Sequence, residues 1–466
     1  MKTITTPIIP IVPTYAKVNA PHELHLEAIC VFAAIGFFLD TDTYWKDEVV
    51  LRPGCQHTIS DDGYLLESIP WFEWHYTPDK TRDFDATLQD FTTLFESIIE
   101  EQTVGKKVIL PLSGGLDSRT QAVAFQHLNA SVNSYSYDFQ GGYKETQIAK
   151  AIAEVCDFDF TAYTIPKGYL WDVLEGLATL NRCESDFTSP RQMAIVDEFE
   201  TMGEVFSLGH WGDVLFDDMG VRDDLPLKDQ VKVLQKKLIK KGGRALANQL
   251  WSYWNLAGDF DAYFETRITS LLSAIKIPNN ANARIRAFKS MYWAPRWTSV
   301  NLAVFASKHP VTLPYYDKRM CEFICTVPES FLAKRQLQIG YIKKRAPKLA
   351  KITWQEQRPF NLYTYPKNKT PYNLPYRTIN KLERVFQEVL GKKYIERNWE
   401  LQFLGDDNQK KLEAYVYNTE FNSWISKSIV DQCYNAFKSG YTVEKSHAMN
   451  MFLVFAVHQH LNKRHA

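Results

Sequence analysis

The residues best suited to chemistry in this chain form the run Ser113-Gly-Gly-Leu-Asp-Ser118. Two adjacent glycines let a ligand approach the backbone closely. An apolar stretch that reads as a strand, Val108-Ile-Leu-Pro-Leu112, precedes the run, and a helical pattern begins near Arg119. The free N–H groups and the dipole at a helix start favour phosphate. Serine hydroxyls add donors, and Asp117 could bridge a metal ion to that phosphate.

A second run of this kind is Gly209-His-Trp-Gly-Asp213, which follows the apolar stretch Val205-Phe-Ser-Leu208. It combines small residues, an acid and a histidine directly after a predicted strand. On its own, a turn of this composition does not indicate a chemical function. Its place after a strand makes Asp213 a candidate partner of Asp117.

Alternating elements between residues 83 and 208 predict how these runs are positioned. Further strands are expected at Ser131 to Tyr137 and Phe160 to Ile165, with helices between them. Strand–helix alternation of this kind predicts a parallel sheet with flanking helices, whose ligands lie at the carboxyl ends of the strands. Asp138 follows a strand at the same edge, so it is a candidate ligand contact or part of an ordinary turn.

Residues 1–82 carry a different pattern. Short apolar runs separated by Arg52-Pro-Gly54 and Asp61-Asp-Gly63 predict antiparallel hairpins. We therefore expect an α/β protein in which a small antiparallel β region precedes the parallel sheet.

Composition excludes several classes of function. The 54 basic and 54 acidic side chains cancel, so no charge surplus favours nucleic acid or an anionic membrane. The most apolar run, Ala28 to Leu39, is too short to span a bilayer, and the first residues lack a secretory signal. Seven scattered cysteines indicate reduced thiols, with Cys30, Cys55, Cys321 and Cys325 in the core. These features predict a cytoplasmic protein.

The first run, preceded by Leu110-Pro-Leu112, resembles the PP-loop of the ATP pyrophosphatase superfamily and most resembles the asparagine synthetase family. The resemblance implies ATP and Mg²⁺ as cofactors and cleavage between the α- and β-phosphates. It places the nucleotide against a set of residues on two loops: Leu112, Ser113, Gly114, Gly115, Asp117, Ser118, Asp138 and Gly209.

The second run resembles the family's Gly-Glu-Gly-x-Asp-Glu-Leu-Phe loop, and Asp213 falls on its metal-binding aspartate. The resemblance thus implies that Asp117 and Asp213 hold one Mg²⁺. His210 stands where synthetases have glutamate and β-lactam-forming relatives have tyrosine. Since histidine can accept a proton near neutral pH, His210 is a candidate catalytic base for an attacking amine. The alternative is that it hydrogen-bonds a neighbouring carbonyl.

A further departure lies in the segment ending at Phe360, where relatives carry a lysine three residues earlier. In those relatives, the lysine neutralises negative charge on the phosphates and on the acyl-adenylate intermediate. Gln357 occupies the position here, and the neighbouring Arg358 can replace it as a catalytic cation only if the loop shifts by one residue.

Residues 1–82 resemble a truncated glutaminase domain, and 83–466 the ATP-binding synthetase domain. Position 2 is Lys2 rather than the glutaminase nucleophile, cysteine. We therefore expect an AMP-forming ligase without its own glutaminase activity, which couples a small-molecule or peptide carboxylate to an amine. One alternative is an intramolecular amide former of the β-lactam synthetase or lasso-peptide cyclase type, and another is a nucleotide-binding protein without catalysis. No nucleic acid or membrane partner is expected, and a homodimer is left open.

Overall fold

The computed structural model describes residues 1–140, 146–188, 190–389, 402–440 and 443–464. The strands are β1 (Lys2–Thr5), β2 (Tyr15–Lys17), β3 (Glu48–Val50), β4 (Cys55–Ile59), β5 (Leu65–Pro70), β6 (Val108–Pro111), β7 (Val132–Phe139), β8 (Asp159–Ile165), β9 (Val205–Ser207) and β10 (Val311–Thr312).

The helices of the first half are α1 (Leu26–Ile35), α2 (Phe84–Thr103), α3 (Asp117–His127), α4 (Thr146–Cys156), α5 (Tyr169–Asn181), α6 (Gly212–Leu215), α7 (Leu227–Leu238), α8 (Gly243–Tyr253), α9 (Phe260–Ser273) and α10 (Ala281–Phe288). Those of the second half are α11 (Ser299–Ala306), α12 (Lys318–Thr326), α13 (Glu329–Leu332), α14 (Gln336–Arg345), α15 (Pro347–Ala350), α16 (Leu374–Val389), α17 (Asp406–Val416), α18 (Thr419–Trp424), α19 (Lys427–Ser439) and α20 (Val443–Arg464). Shorter 3₁₀ segments are Arg191–Thr201, Pro314–Tyr316, Ala333–Arg335, Gln355–Gln357 and Tyr365–Lys367, and Lys289–Thr298 is π-helical.

A five-stranded parallel sheet with the order β10-β9-β6-β7-β8 forms the centre of the molecule. Helices cover it, so the residues Val108 to Leu110 of the middle strand are fully buried. Continuous apolar runs are expected in strands that are covered on both faces. The predicted α/β class and parallel sheet are confirmed. Because β6 and β9 are neighbours, the loops after them leave the sheet side by side.

The N-terminal region contains the predicted antiparallel pairing, with β1-β4-β5 in one sheet and β2-β3 in a second. The expectation of a strand-rich region was incomplete, because α1 lies inside it. Its residues 28–35 are all buried, and it packs against α8. Gly243 makes this packing possible, since a Cβ there would lie 2.1 Å from the carbonyl oxygen of Ala34. An apolar run without polar interruptions has no periodicity that distinguishes helix from strand.

In the described part of the chain, the longest helix, α20, has 22 residues, and no helix combines the length and apolarity needed to cross a membrane. All seven cysteines are free thiols, and the four predicted to be core residues are buried.

Candidate functional site

The loop between β6 and α3 is folded onto itself by short hydrogen bonds. The Ser113 N–H donates to Ser118 Oγ at 3.1 Å, and the Gly115 N–H donates to Ser113 Oγ at 3.3 Å. Leu112 is buried, and its N–H donates to the Tyr135 carbonyl of the neighbouring strand at 2.8 Å. Helix α3 begins at Asp117, two residues before the expected start. The acid therefore occupies the first turn of the helix, at the carboxyl edge of the sheet.

Gly114 is held by a segment more than two hundred residues away. Its N–H donates to Gln355 Oε1 at 3.0 Å, and its carbonyl accepts from the Gln355 N–H at 3.1 Å. A Cβ on Gly114 would lie 2.6 Å from the same side-chain oxygen. An N–H group bonds one acceptor well, so a phosphate that binds this N–H must displace the Gln355 amide.

Arg119 joins the same two segments from inside the protein. Its side chain is fully buried and donates to the carbonyls of Gly114 at 3.2 Å, Ile352 at 3.1 Å and Thr353 at 2.7 Å. Burial lowers the pKa of this guanidinium to about 10, so it stays charged at neutral pH. Its charge is shared among three carbonyl dipoles, which fixes the loop against residues 352–355.

Asp117 is the most constrained acid of the site. Its Oδ1 accepts hydrogen bonds from Arg335 Nη2 and, at 3.0 Å, from Gln338 Nε2, and the Tyr315 hydroxyl donates to its backbone carbonyl at 2.9 Å. Burial raises the pKa of the carboxyl to about 6, against the lowering effect of Arg335, and the charge of Asp213 raises it further. Two carboxylates thus act on each other at this edge of the sheet.

The second loop lies directly against the start of α3. A Cβ on Gly209 would lie 3.1 Å from Asp117 Cβ, and one on Gly212 would lie 2.3 Å from Asp117 Oδ1. A side chain at position 212 would overlap the carboxylate, and one at position 209 would require its neighbours to shift by a few tenths of an ångström. Asp213, the residue after Gly212, is exposed. The structure therefore brings Asp117, Gly209 and Asp213 into one site, as the sequence predicts; their roles toward nucleotide and metal stay predictions.

Gly212→Ala is expected to displace the Asp117 carboxylate, because the added methyl group would overlap its oxygen and carbon. We expect at least a tenfold loss of any ATP-dependent activity, measured as pyrophosphate release. Gly176→Ala on α5 is the matched control, since its Cβ would meet only the flexible end of Met193 at 3.2 Å. Equal activity of the two variants would contradict the close packing of loop and acid.

His210, in the second loop, is partly buried. Its ring is 6.1 Å from that of Phe305, and its buried Nδ1 has no hydrogen-bond partner among the described residues. The bond to a neighbouring carbonyl, proposed above as the alternative, is not formed by this nitrogen. Burial lowers the pKa of the imidazole to about 4, and the charge of Asp213 opposes that effect only in part. The ring is therefore neutral at pH 7 and able to accept a proton or a hydrogen bond.

Two other predicted site residues have different surroundings. The Asp138 carboxylate accepts from the Thr146 N–H at 3.1 Å and from the Thr146 hydroxyl at 2.7 Å, so it caps the start of α4. Arg358 is half-buried and makes no hydrogen bond or ion pair with any other described residue. The preceding Gln357 accepts from Asn368 at 2.8 Å. Neither residue of this pair contacts Asp117.

Sequence reasoning missed two cations that interact with the two acids. The side chain of Arg335, which pairs with Asp117, is almost fully buried. Its Nε donates to Gln338 Oε1 at 2.8 Å. Lys289 places its ammonium 5.3 Å from the ring centres of both Trp211 and Trp293. Both cations come from segments far from the loops in sequence, and no short motif signals either one.

Two acids at the edge of the sheet suit a magnesium ion held against a triphosphate. The described residues contain no group of three or more histidine, cysteine or acidic side chains that could hold a metal. Mg²⁺ usually needs only one or two carboxylates, with phosphate and water completing its shell. Asp117 and Asp213 therefore fit an ion that arrives with the nucleotide.

A family model described as asparagine synthase matches residues 91–459, which include both loops. The chain belongs to the asparagine synthase family. Membership supports an ATP-dependent, amide-forming ligase in general. No curated protein matches the chain. Among solved structures, an NMN synthetase from Francisella tularensis is similar over 44% of this chain and 93% of that chain, at 12% identity and a TM-score of 0.23, which is too low to carry an argument.

Proposed function

We propose that this asparagine synthase family protein activates a carboxylate as an acyl-adenylate, releases pyrophosphate and couples the acyl group to an amine. The observation that carries the proposal is the contact between the two loops: Gly209 and Gly212 lie against Asp117, and Asp213 follows at the rim. One edge of the sheet thus combines phosphate donors with two acids. The substrates are a small-molecule or peptide carboxylate and an amine.

The residues of the first loop bind phosphate through backbone N–H groups and through the hydroxyls of Ser113 and Ser118. Asp117 and Asp213 would hold Mg²⁺, which would supply positive charge to the leaving pyrophosphate. The substrate carboxylate attacks the α-phosphate, and the bond between the α- and β-phosphates breaks. The amine then attacks the acyl carbon, and AMP leaves.

His210 is proposed to take the proton from the attacking amine. Its neutral ring and unpartnered Nδ1 suit that role. We expect His210→Ala to slow amide closure by about a hundredfold, the lower range for a lost general base, while adenylation changes less. Pyrophosphate release and amide formation are measured separately. His22→Ala, at an exposed histidine, is the control; an equal loss in both steps would remove His210 from the role of base.

We further propose that this chain has no glutaminase activity of its own. Cys30 and Cys55 are both buried, and burial raises the pKa of both thiols. A nucleophilic cysteine needs an accessible thiolate. The proposed nitrogen source is therefore a free amine rather than the amide of glutamine.

Oxygen transfer tests the adenylation step directly. The purified chain is incubated with Mg-ATP, an amine and candidate acids whose carboxylates carry ¹⁸O. The panel includes acids that also carry the amine, which tests the intramolecular alternative. Adenylation transfers one labelled oxygen from the carboxylate to AMP. Formation of ADP, or of AMP without label in the presence of amide product, would contradict the proposal.

A nucleotide-binding protein without catalysis is the second candidate function. The observation that favours it is that Asp117, one of the two proposed metal ligands, is paired with Arg335. In this case, the site would bind ATP without cleaving it. Equilibrium binding of ATP, with no AMP formed for any acid in the panel, would favour this candidate.

A further inference from the structure

Lys289 is a cation that lies beside the second loop, over two aromatic rings. Lys289 is the first residue of the π-helical segment Lys289–Thr298, which continues α10. Its side chain is half-buried, and its ammonium faces the indole rings of Trp211 and Trp293. It forms no salt bridge with any described residue.

The two indoles place the ammonium beside the second loop. Trp211 belongs to the second loop, with a left-handed φ of 65°, and its Nε1 donates to the Thr298 hydroxyl. Its ring meets that of Trp293 edge to face at 5.7 Å. A tryptophan held this firmly fixes the position of the lysine that lies over its face, since a cation is attracted to the π surface of an indole.

The surrounding charges leave the cation undercompensated. The charges of Asp213 and Asp217 favour the charged form of Lys289, and those of Lys237 and Arg286 oppose it. Burial lowers the pKa of the ammonium to about 8, which is the cost of removing a cation from water without a close counter-ion. Asp217 is already bonded to the N–H of Lys334 at 2.7 Å. Asp213 is the proposed metal ligand, so neither acid is free to neutralise Lys289.

We propose that Lys289 binds an oxyanion of the reactants, either a phosphate oxygen of the nucleotide or the carboxylate that is activated. The proposal rests on the proposed function and adds a residue to it. Lys289 supplies the positive charge that the resemblance places three residues before Phe360, where this chain has Gln357. Phosphate and carboxylate oxygens both suit a lysine ammonium.

Protection from chemical labelling tests this without any variant. The wild-type chain is treated with an amine-directed acetylating reagent near pH 8, and the labelling rate of each lysine is measured by mass spectrometry. The probes are Mg-ATP, pyrophosphate alone, and the carboxylates L-aspartate, L-glutamate and succinate. We expect at least one probe to slow labelling of Lys289 about tenfold or more. Protection by ATP or pyrophosphate assigns a phosphate contact, and protection by carboxylates alone assigns the acid.

Lys438 is the internal control, because its ammonium lies 5.3 Å from the Tyr434 ring on α19, a similar cation–π contact far from the two loops along the chain. Its labelling rate should not change with any probe. Unchanged labelling of Lys289 with every probe would overturn the proposal.

Binding to variants separates this inference from the proposed function. Lys289→Met should weaken binding of the protecting probe by about 10- to 100-fold, the range for a lost hydrogen bond to a charged group. Lys289→Arg should retain part of the affinity, and Lys438→Met all of it. If the wild type forms AMP but Lys289→Met binds every probe with unchanged affinity, the inference fails alone. If carboxylates protect Lys289 but ATP does not bind, the proposed function fails and the inference stands.

Discussion

Asp117→Asn is expected to reduce pyrophosphate release by about a hundredfold or more. The carboxylate is one of two proposed ligands of Mg²⁺, and a neutral amide is a much weaker ligand for a hard cation. Loss of metal-ion stabilisation is worth several kcal/mol, and each 1.36 kcal/mol is a factor of ten in rate. The measurement is initial-rate pyrophosphate release with saturating ATP.

Asparagine is the informative substitution because of Arg335. The amide oxygen of asparagine can still accept from Arg335 and Gln338, which both donate to Asp117 Oδ1. Alanine would leave an almost fully buried guanidinium without its carboxylate, at a cost to the free energy of unfolding of about 3–5 kcal/mol. Asp117→Ala should therefore be less stable than Asp117→Asn. Asp406→Asn, at an exposed position in the first turn of α17, is the control; full turnover by Asp117→Asn would contradict the metal assignment.

Arg119→Met is expected to lower the free energy of unfolding by about 2–4 kcal/mol. Three carbonyls, on Gly114, Ile352 and Thr353, would lose their common donor, which is fully buried. A hydrogen bond from a charged group contributes about 1.5–3 kcal/mol, and removing a buried charge that has no counter-ion offsets part of the loss. The first loop would also lose its fixed position against residues 352 and 353, so ATP binding should weaken. Urea unfolding and equilibrium ATP binding measure the two effects.

Arg284→Met is the matched control for this variant. Arg284 also donates to two carbonyls, those of Ile277 at 2.7 Å and Pro278 at 2.8 Å, but its side chain is partly exposed. Water can replace its bonds, so we expect a loss below about 1 kcal/mol. Equal destabilisation of the two variants would show that the three hydrogen bonds of Arg119 contribute no more to the free energy of unfolding than the two of Arg284.

Local sequence determined most of the parallel sheet. Strands were predicted at Val108 to Leu112, Ser131 to Tyr137, Phe160 to Ile165 and Val205 to Leu208. Both ends of each lie within two residues of the ends of an observed strand. Each run is apolar or alternates apolar and polar residues, and small or polar residues follow it. The hydrophobic pattern and the terminating residues therefore predict the same strands. The buried helix α1 was missed because its run is apolar on every side. Its helical form depends on the surface that α8 presents to it.

The first loop and the family could be identified from Ser113 to Ser118, because a phosphate site of this kind is built from consecutive residues. The pairing of Asp117 with Arg335 could not, since the two residues are 218 positions apart and the spacing of an ion pair leaves no periodic trace. Arg358, the cation predicted from the resemblance, is without an ion-pair partner among the described residues, while Lys289 lies beside the second loop.

Residues close together in the chain are enough to identify an α/β protein of the asparagine synthase family, with a glycine-rich loop at Ser113 and a second acid at Asp213. Short-range features carry that information, because strand periodicity and the local run of glycine, serine and aspartate are written in neighbouring residues. Which charges surround the acids depends on the three-dimensional packing. Arg335, Lys289 and Gln355 reach the site through the packing of helices and loops from distant segments, and the electrostatics of a buried site depend on what folding brings within a few ångströms.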